Sequence, residues 1–207
     1  MADRQYVLRF SRTERALHWI HAAAFFLLLA SGLALYLPTL VAVVGRRPLV
    51  RAVHVDVAIA WVAALIAVML FGDRHSLRRT LAELDLFDEE DRKMLRGRRS
   101  RAARFNAGQK INAALTAAFA LLFAFSGSLL WLGERDTRFR FANTVLLHDG
   151  LAYFSLVLLV GHLYLAVLHP ATRHSLRGMT IGTVREDWAR EHHSRWPALE
   201  REAAEPS

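Results

Sequence analysis

The 207-residue chain has no cysteine. That excludes disulfides, thiolate zinc sites and protein-held iron–sulfur clusters. Any redox group is therefore bound by nitrogen ligands or non-covalently. Proline is scarce, at five residues. Pro38 and Pro170 directly follow long apolar runs, where a residue that cannot continue the helical ladder marks an end. Acidic side chains are outnumbered, 19 against 27 Lys and Arg, for a formal charge of +8. In a soluble chain that excess suggests nucleic acid. Here the arginines lie in polar stretches between apolar ones, so membrane orientation accounts for them and no nucleic-acid partner is expected. No cleavable leader is expected either: the first apolar run is too long, and no small-residue site follows a short core.

What the chain does have is hydrophobicity, 54% of its residues, gathered into blocks. Four runs approach the ~20 residues that a spanning helix needs: 16–36, 53–71, 111–131 and 146–168, the second slightly short. The expected fold is an all-α integral membrane protein, a bundle of four transmembrane helices. Residues 1–170 form that domain and 171–207 a polar C-terminal tail with a disordered end. The loop 72–110 mixes an acidic run, Asp88 to Asp91, with a basic one, Arg96 to Arg104. It reads as a solvated loop with a short amphipathic helix at the surface. The segments on one side of the bundle carry four, eleven and six Lys and Arg; the two loops on the other carry three each. Twenty-one against six places both termini and the middle loop in the cytoplasm, with the bacterial inner membrane as the expected location.

Four histidines fall inside the apolar runs: His18, His54, His148 and His162. Imidazole in hydrocarbon is costly unless something binds it. His148 and His162 share one helix, fourteen residues and roughly 21 Å apart, and project from nearly the same face. The topology puts His18 and His162 at the inner level and His54 and His148 at the outer level. Each pair joins two helices at one depth, as bis-histidine ligation of a haem requires. Two axial imidazoles leave no open iron position and suit electron transfer. The bundle is therefore expected to bind two haems. The competing reading of a lone histidine near a helix end is an interfacial residue. His21 and His169 take that reading, although His21, about 60° round the helix from His18, is a competing ligand. His75, His174, His192 and His193 read as surface residues. Small residues (Ser31, Gly32, Ser126, Gly127, Ser128, Gly161) admit a neighbouring helix or a flat macrocycle. Arg9, Arg12, Arg15 and Lys110 flank the inner level and Arg51 the outer. Haem propionates and lipid head groups are equal claimants on them.

A second site opens the third run. Arg104-Phe105-Asn106-Ala107-Gly108-Gln109-Lys110 offers amide side chains, a glycine for close approach and the free N–H groups of a helix start. Two readings stand side by side: a site that hydrogen-bonds a quinone carbonyl, and a helix cap with a snorkelling lysine.

The chain resembles the gamma (cytochrome b) subunit of bacterial membrane-bound, quinone-reducing formate dehydrogenase. The resemblance covers most of its length. It rests on Arg15, His18-Trp19, Phe25-Phe26, Ser31-Gly32, Pro38-Thr39-Leu40, His54, Asn106 to Lys110, Leu146 to Gly150, His162-Leu163-Tyr164, Gly178-Met179, and Trp188 with His192-His193 and Trp196. The resemblance implies two b haems with the pairing already reached. It implies a menaquinone or ubiquinone site near Asn106, Gly108, Gln109 and His162. It implies an iron–sulfur beta subunit and a molybdenum or tungsten alpha subunit that oxidises formate, assembled as a trimer of such heterotrimers. This chain alone would not oxidise formate. His21 and Asp149 stand outside the family pattern. Four histidines in a four-helix bundle also fit the cytochrome b anchors of hydrogenases and thiosulfate reductases. A transporter with a histidine relay and a cofactor-free anchor are the readings from other classes.

Overall fold

In chain order the elements are β1 (Tyr6–Leu8), α1 (Arg12–Tyr36), α2 (Arg47–Phe71), α3 (Arg74–Asp85), α4 (Glu89–Leu95), α5 (Ala107–Gly133), α6 (Thr144–Leu163), α7 (Leu176–Thr180), β2 (Thr183–Arg185) and α8 (Glu186–His192). This is a computed structural model, and it describes residues 5–37, 39, 40, 42 and 45–196. Arg4, Pro38 and the end of the tail lie outside the described residues. The four long helices are apolar enough to cross a membrane, and in their apolar stretches 11% of residues or fewer are buried. Leu121, Phe154 and Val157 are among the large side chains left exposed. Such a surface suits hydrocarbon rather than water.

Each long helix begins before its apolar run, and at α1 and α5 the start is held by reciprocal side-chain hydrogen bonds. At α1, Ser11 N–H donates to Glu14 Oε2 at 2.6 Å and Glu14 N–H donates to Ser11 Oγ at 3.2 Å. At α5, Asn106 N–H donates to Gln109 Oε1 and Gln109 N–H to Asn106 Oδ1, both at 3.0 Å. These reciprocal caps satisfy donors that a helix start otherwise orphans. α2 has proline in its first turn, where a missing N–H costs nothing. α6 ends in a wider turn over Tyr164–Leu168, in which His169 N–H reaches back to Tyr164 O. The middle loop is more structured than a solvated segment: α3, of 12 residues, and α4, of 7, lie in it, with Ser76 and Asp91 buried.

The chain forms two units. One is drawn from Met1–Arg15, His75–Ala118 and Leu156–Ser207, the other from Ala16–Arg74 and Phe119–Ser155. In the first, β1 pairs antiparallel with β2, Val7 opposite Val184. Gly182 turns the chain into that ribbon at φ 101°, a conformation glycine takes without strain. Its carbonyl accepts from Arg9 and Phe10 N–H. Val7, Val184, Trp188, Ala189 and Trp196 form a small apolar core. Beside it lies a buried polar network. Arg9 is 1% exposed. It donates to Arg104 O at 3.0 Å and to His193 Nε2 at 3.2 Å. Arg104 donates to Arg9 O at 3.2 Å and to Glu14 Oε1 at 2.9 Å, and its Nε lies 2.6 Å from Glu83 Oε2. Burial, together with the Arg104 charge, holds Arg9 down at about 9.

His193 is not a surface residue. It is 2% exposed, and its ring closes the network by meeting Ala103 O through Nδ1 at 2.6 Å. With Nε2 accepting from Arg9, Nδ1 carries the only ring proton. Burial first, then the charge of Arg9, depresses its pKa to about 3. An unfolded histidine titrates near about 6.5. The unfolded state therefore takes up the proton first, and the stability His193 confers is complete above about pH 6.5 and lost as pH falls toward 3. Acidification across that window is expected to release the 186–196 segment, read by Trp188 and Trp196 fluorescence. His193→Gln, which can accept from Arg9 and donate to Ala103 without ionising, should flatten the response.

Candidate functional site

In the second unit, α2 carries His54 and α6 carries His148. Their ring centroids stand 6.3 Å apart with planes at 71°. The Phe123 ring meets His148 edge-on at 5.2 Å. Each imidazole is tied at Nδ1 to a serine on another helix: His54 to Ser31 Oγ on α1, His148 to Ser126 Oγ on α5, both at 2.8 Å. The residue after each serine is glycine. A Cβ added at Gly32 would lie 3.5 Å from His54 Cε1, and one at Gly127 would lie 3.6 Å from His148 Cε1. Among the described residues, apart from the glycine's own helix backbone and chain neighbours, only the imidazole comes within 4 Å of either.

The donor set and spacing fit a haem. A metal–imidazole bond of about 2.0 Å on each side, with ring atoms roughly 1.15 Å from the centroid for bonds of ~1.35 Å, separates two imidazoles on one metal by about 6.3 Å. The observed centroids match that separation. Among the described residues no group of three or more His, Cys, Asp or Glu converges. A two-imidazole site is the kind that a macrocycle with four nitrogens of its own completes. Gly32 and Gly127 leave no side chain between their helix backbones and the two imidazoles.

The other expected site residues are placed as follows. His18 lies on α1, its ring edge-on to Trp19 at 5.2 Å. His21, one turn on, meets Trp61 of α2 at 5.6 Å. His162 lies near the end of α6, ahead of the wide turn. His18 belongs to the second unit and His162 to the first. The cationic candidates are mostly held by protein groups. Arg9 lies in the buried network described above. Arg15 donates to Thr180 O at 2.5 Å and Ile181 O at 3.0 Å. Arg51 pairs with Glu134. Lys110 is buried rather than snorkelling, with Nζ 2.5 Å from Asp91 Oδ2 and 2.7 Å from Leu86 O. Arg12 lies in the first turn of α1. Asn106 and Gln109 use their amide oxygens for the α5 cap. The cap makes no use of their NH₂ ends, which are the ends a carbonyl ligand needs. Gly108 is exposed between them.

A family profile described as prokaryotic cytochrome b561 matches residues 9–182. The chain belongs to that family. It is similar to the cytochrome b556(fdo) subunit of formate dehydrogenase of Escherichia coli K12, 29% identical over 206 residues, covering 95% of this chain and 94% of the relative. The nitrate-inducible cytochrome b556(Fdn) subunit of formate dehydrogenase from the same strain is 25% identical, with 95% and 92% covered. The cytochrome b556 subunit of formate dehydrogenase of Haemophilus influenzae is 24% identical, with 92% and 82% covered.

Membership makes this a multi-pass membrane cytochrome that binds haem b. Sequence reasoning missed what Ser31 and Ser126 do, treating them only as small residues. The signal was present: a Ser-Gly dipeptide precedes a histidine by 23 residues in one helical hairpin and 22 in the other, counted from the serine. For this cytochrome, Gly32→Val and Gly127→Val place methyl groups in the space beside His54 and His148. Each is expected to lower the haem content per chain, measured by pyridine haemochrome assay, while the protein still accumulates in the membrane.

Proposed function

We propose that this cytochrome is the membrane subunit of a formate dehydrogenase and that it carries electrons between two b haems to quinone. The observation that carries the reading is the His54–His148 pair at 6.3 Å, in a chain that covers 95% of its length against a formate dehydrogenase cytochrome b subunit. Bound haem supplies one-electron chemistry at iron. His54 and His148 would close both axial positions at the outer level, which bars substrate from the metal and leaves electron transfer as its use. His18 and His162 would do the same at the inner level, an assignment supported by the depth each residue takes from the Lys and Arg distribution.

In this reading electrons enter on the periplasmic side from an iron–sulfur beta subunit, fed by a molybdenum or tungsten alpha subunit that oxidises formate. They pass from the His54–His148 level to the His18–His162 level. They leave to menaquinone or ubiquinone beside Asn106, Gly108, Gln109 and His162 on the cytoplasmic side. The amide NH₂ groups of Asn106 and Gln109 are the donors suited to a quinone carbonyl, and Gly108 allows close approach. Quinol formation there takes protons from the cytoplasm. The chain also anchors its partners in the bacterial inner membrane with both termini cytoplasmic, and a trimer of heterotrimers is the proposed assembly.

Two measurements test this. Purified protein should contain two b haems per chain. His54→Ala or His148→Ala should each remove one haem, abolish reduction by formate in the assembled complex, and leave the other haem in place. Retention of both haems in either variant would refute the pairing. For the quinone site, Asn106→Asp keeps the capping oxygen, and aspartate caps as well as asparagine, but it lacks the NH₂ donor. Quinone reduction is expected to slow at least severalfold with both haems retained. A wild-type rate would reduce Asn106 to a helix cap.

A further inference from the structure

Ser31 and Ser126 each have one hydroxyl proton, and the helix backbone takes it. Ser31 Oγ donates to Leu27 O at 2.8 Å, Ser126 Oγ to Leu122 O at 2.7 Å. Each hydroxyl oxygen can then only accept in its 2.8 Å contact with an imidazole. The ring proton must therefore sit on Nδ1 in both histidines, leaving the Nε2 lone pair unprotonated. Both rings have the same arrangement: serine on the preceding helix of the hairpin, its carbonyl acceptor one turn earlier, glycine immediately after it. Ser126 is fully buried.

We propose that Ser31 and Ser126 are positioning residues, which fix His54 and His148 as Nδ1–H tautomers and tune the iron bound between them. The inference rests on the proposed ligation by that pair. An acceptor on Nδ1–H makes the imidazole a stronger donor at Nε2 and fixes the orientation of its ring. A stronger donor stabilises ferric over ferrous iron. A hydroxyl accepts more weakly than a carboxylate, so the pair remains two neutral imidazoles and the bound haem gains no extra negative charge in hydrocarbon. The device also satisfies both Nδ1–H groups without importing a charged residue, which at that depth is expensive.

The test is a redox titration of the purified di-haem protein, wild type against Ser31→Ala and Ser126→Ala, with haem dissociation followed in parallel. Each alanine is expected to shift the midpoint of the same single haem to a more positive potential and to speed its dissociation about tenfold or more, the range for lost partners of metal-bound histidines. The second haem should not move. Ser126→Thr, which retains a hydroxyl, should restore the wild-type midpoint. Unchanged midpoint and dissociation in both alanine variants, or failure of threonine to restore them, would overturn the proposal. If the alanine variants do not accumulate, Ser31→Cys and Ser126→Cys, whose sulfur is a weak acceptor, are read the same way, and a wild-type midpoint in both overturns it. Loss of the ligation itself is a separate result: His54→Ala and His148→Ala would then retain both haems.

Discussion

An imidazole within a membrane helix must find a partner for each nitrogen, and His54 and His148 are arranged around that requirement. One nitrogen of each ring meets a serine hydroxyl at 2.8 Å. The rings then stand 6.3 Å apart, the separation at which one metal can satisfy the other two nitrogens. The helices that supply the serines continue into glycines, which leave no side chain between backbone and imidazole. Ligand, acceptor and clearance come from four helices at one level. In the proposed ligation, a change in any of the three would be felt at the same metal.

The other unit is built on a different constraint, the burial of two arginines. Arg9 and Arg104 donate to each other's carbonyls; Arg9 also donates to His193 and Arg104 to Glu14. Two like charges in one buried site are tolerable only when carboxylates and carbonyls surround them. Arg104 itself is lowered by burial, an effect opposed by Glu14 and Glu83. His193 is held neutral by burial first and by the charge of Arg9, from which its Nε2 accepts. The network links the N-terminal segment, the middle loop and the tail, three stretches far apart in sequence. Lys110 repeats the pattern on a smaller scale, its charge matched by Asp91 of the α4 cap.

The helices were legible from hydropathy because lipid demands long apolar runs. Their true starts were not, since a polar first turn adds nothing to hydropathy. The capping patterns Ser11 to Glu14, Asp88 to Asp91 and Asn106 to Gln109 are the signals that mark where three helices begin. That His54 and His148 lie close together could be expected by counting topology. The serines could not be assigned by composition, because a small residue in a helix reads first as packing. His193 was unreadable for a plainer reason: nothing local distinguishes it from His192, and its partner Arg9 lies 184 positions away.

The central claim is that His54 and His148 are the two axial ligands of one haem. Near-infrared magnetic circular dichroism of the oxidised protein reads axial ligation directly. Two low-spin bis-imidazole haems in equal amount, with one signal lost in His148→Ala, is the predicted result. A high-spin or histidine–methionine signal in the wild type, or a bis-imidazole signal undiminished in His148→Ala, would contradict it.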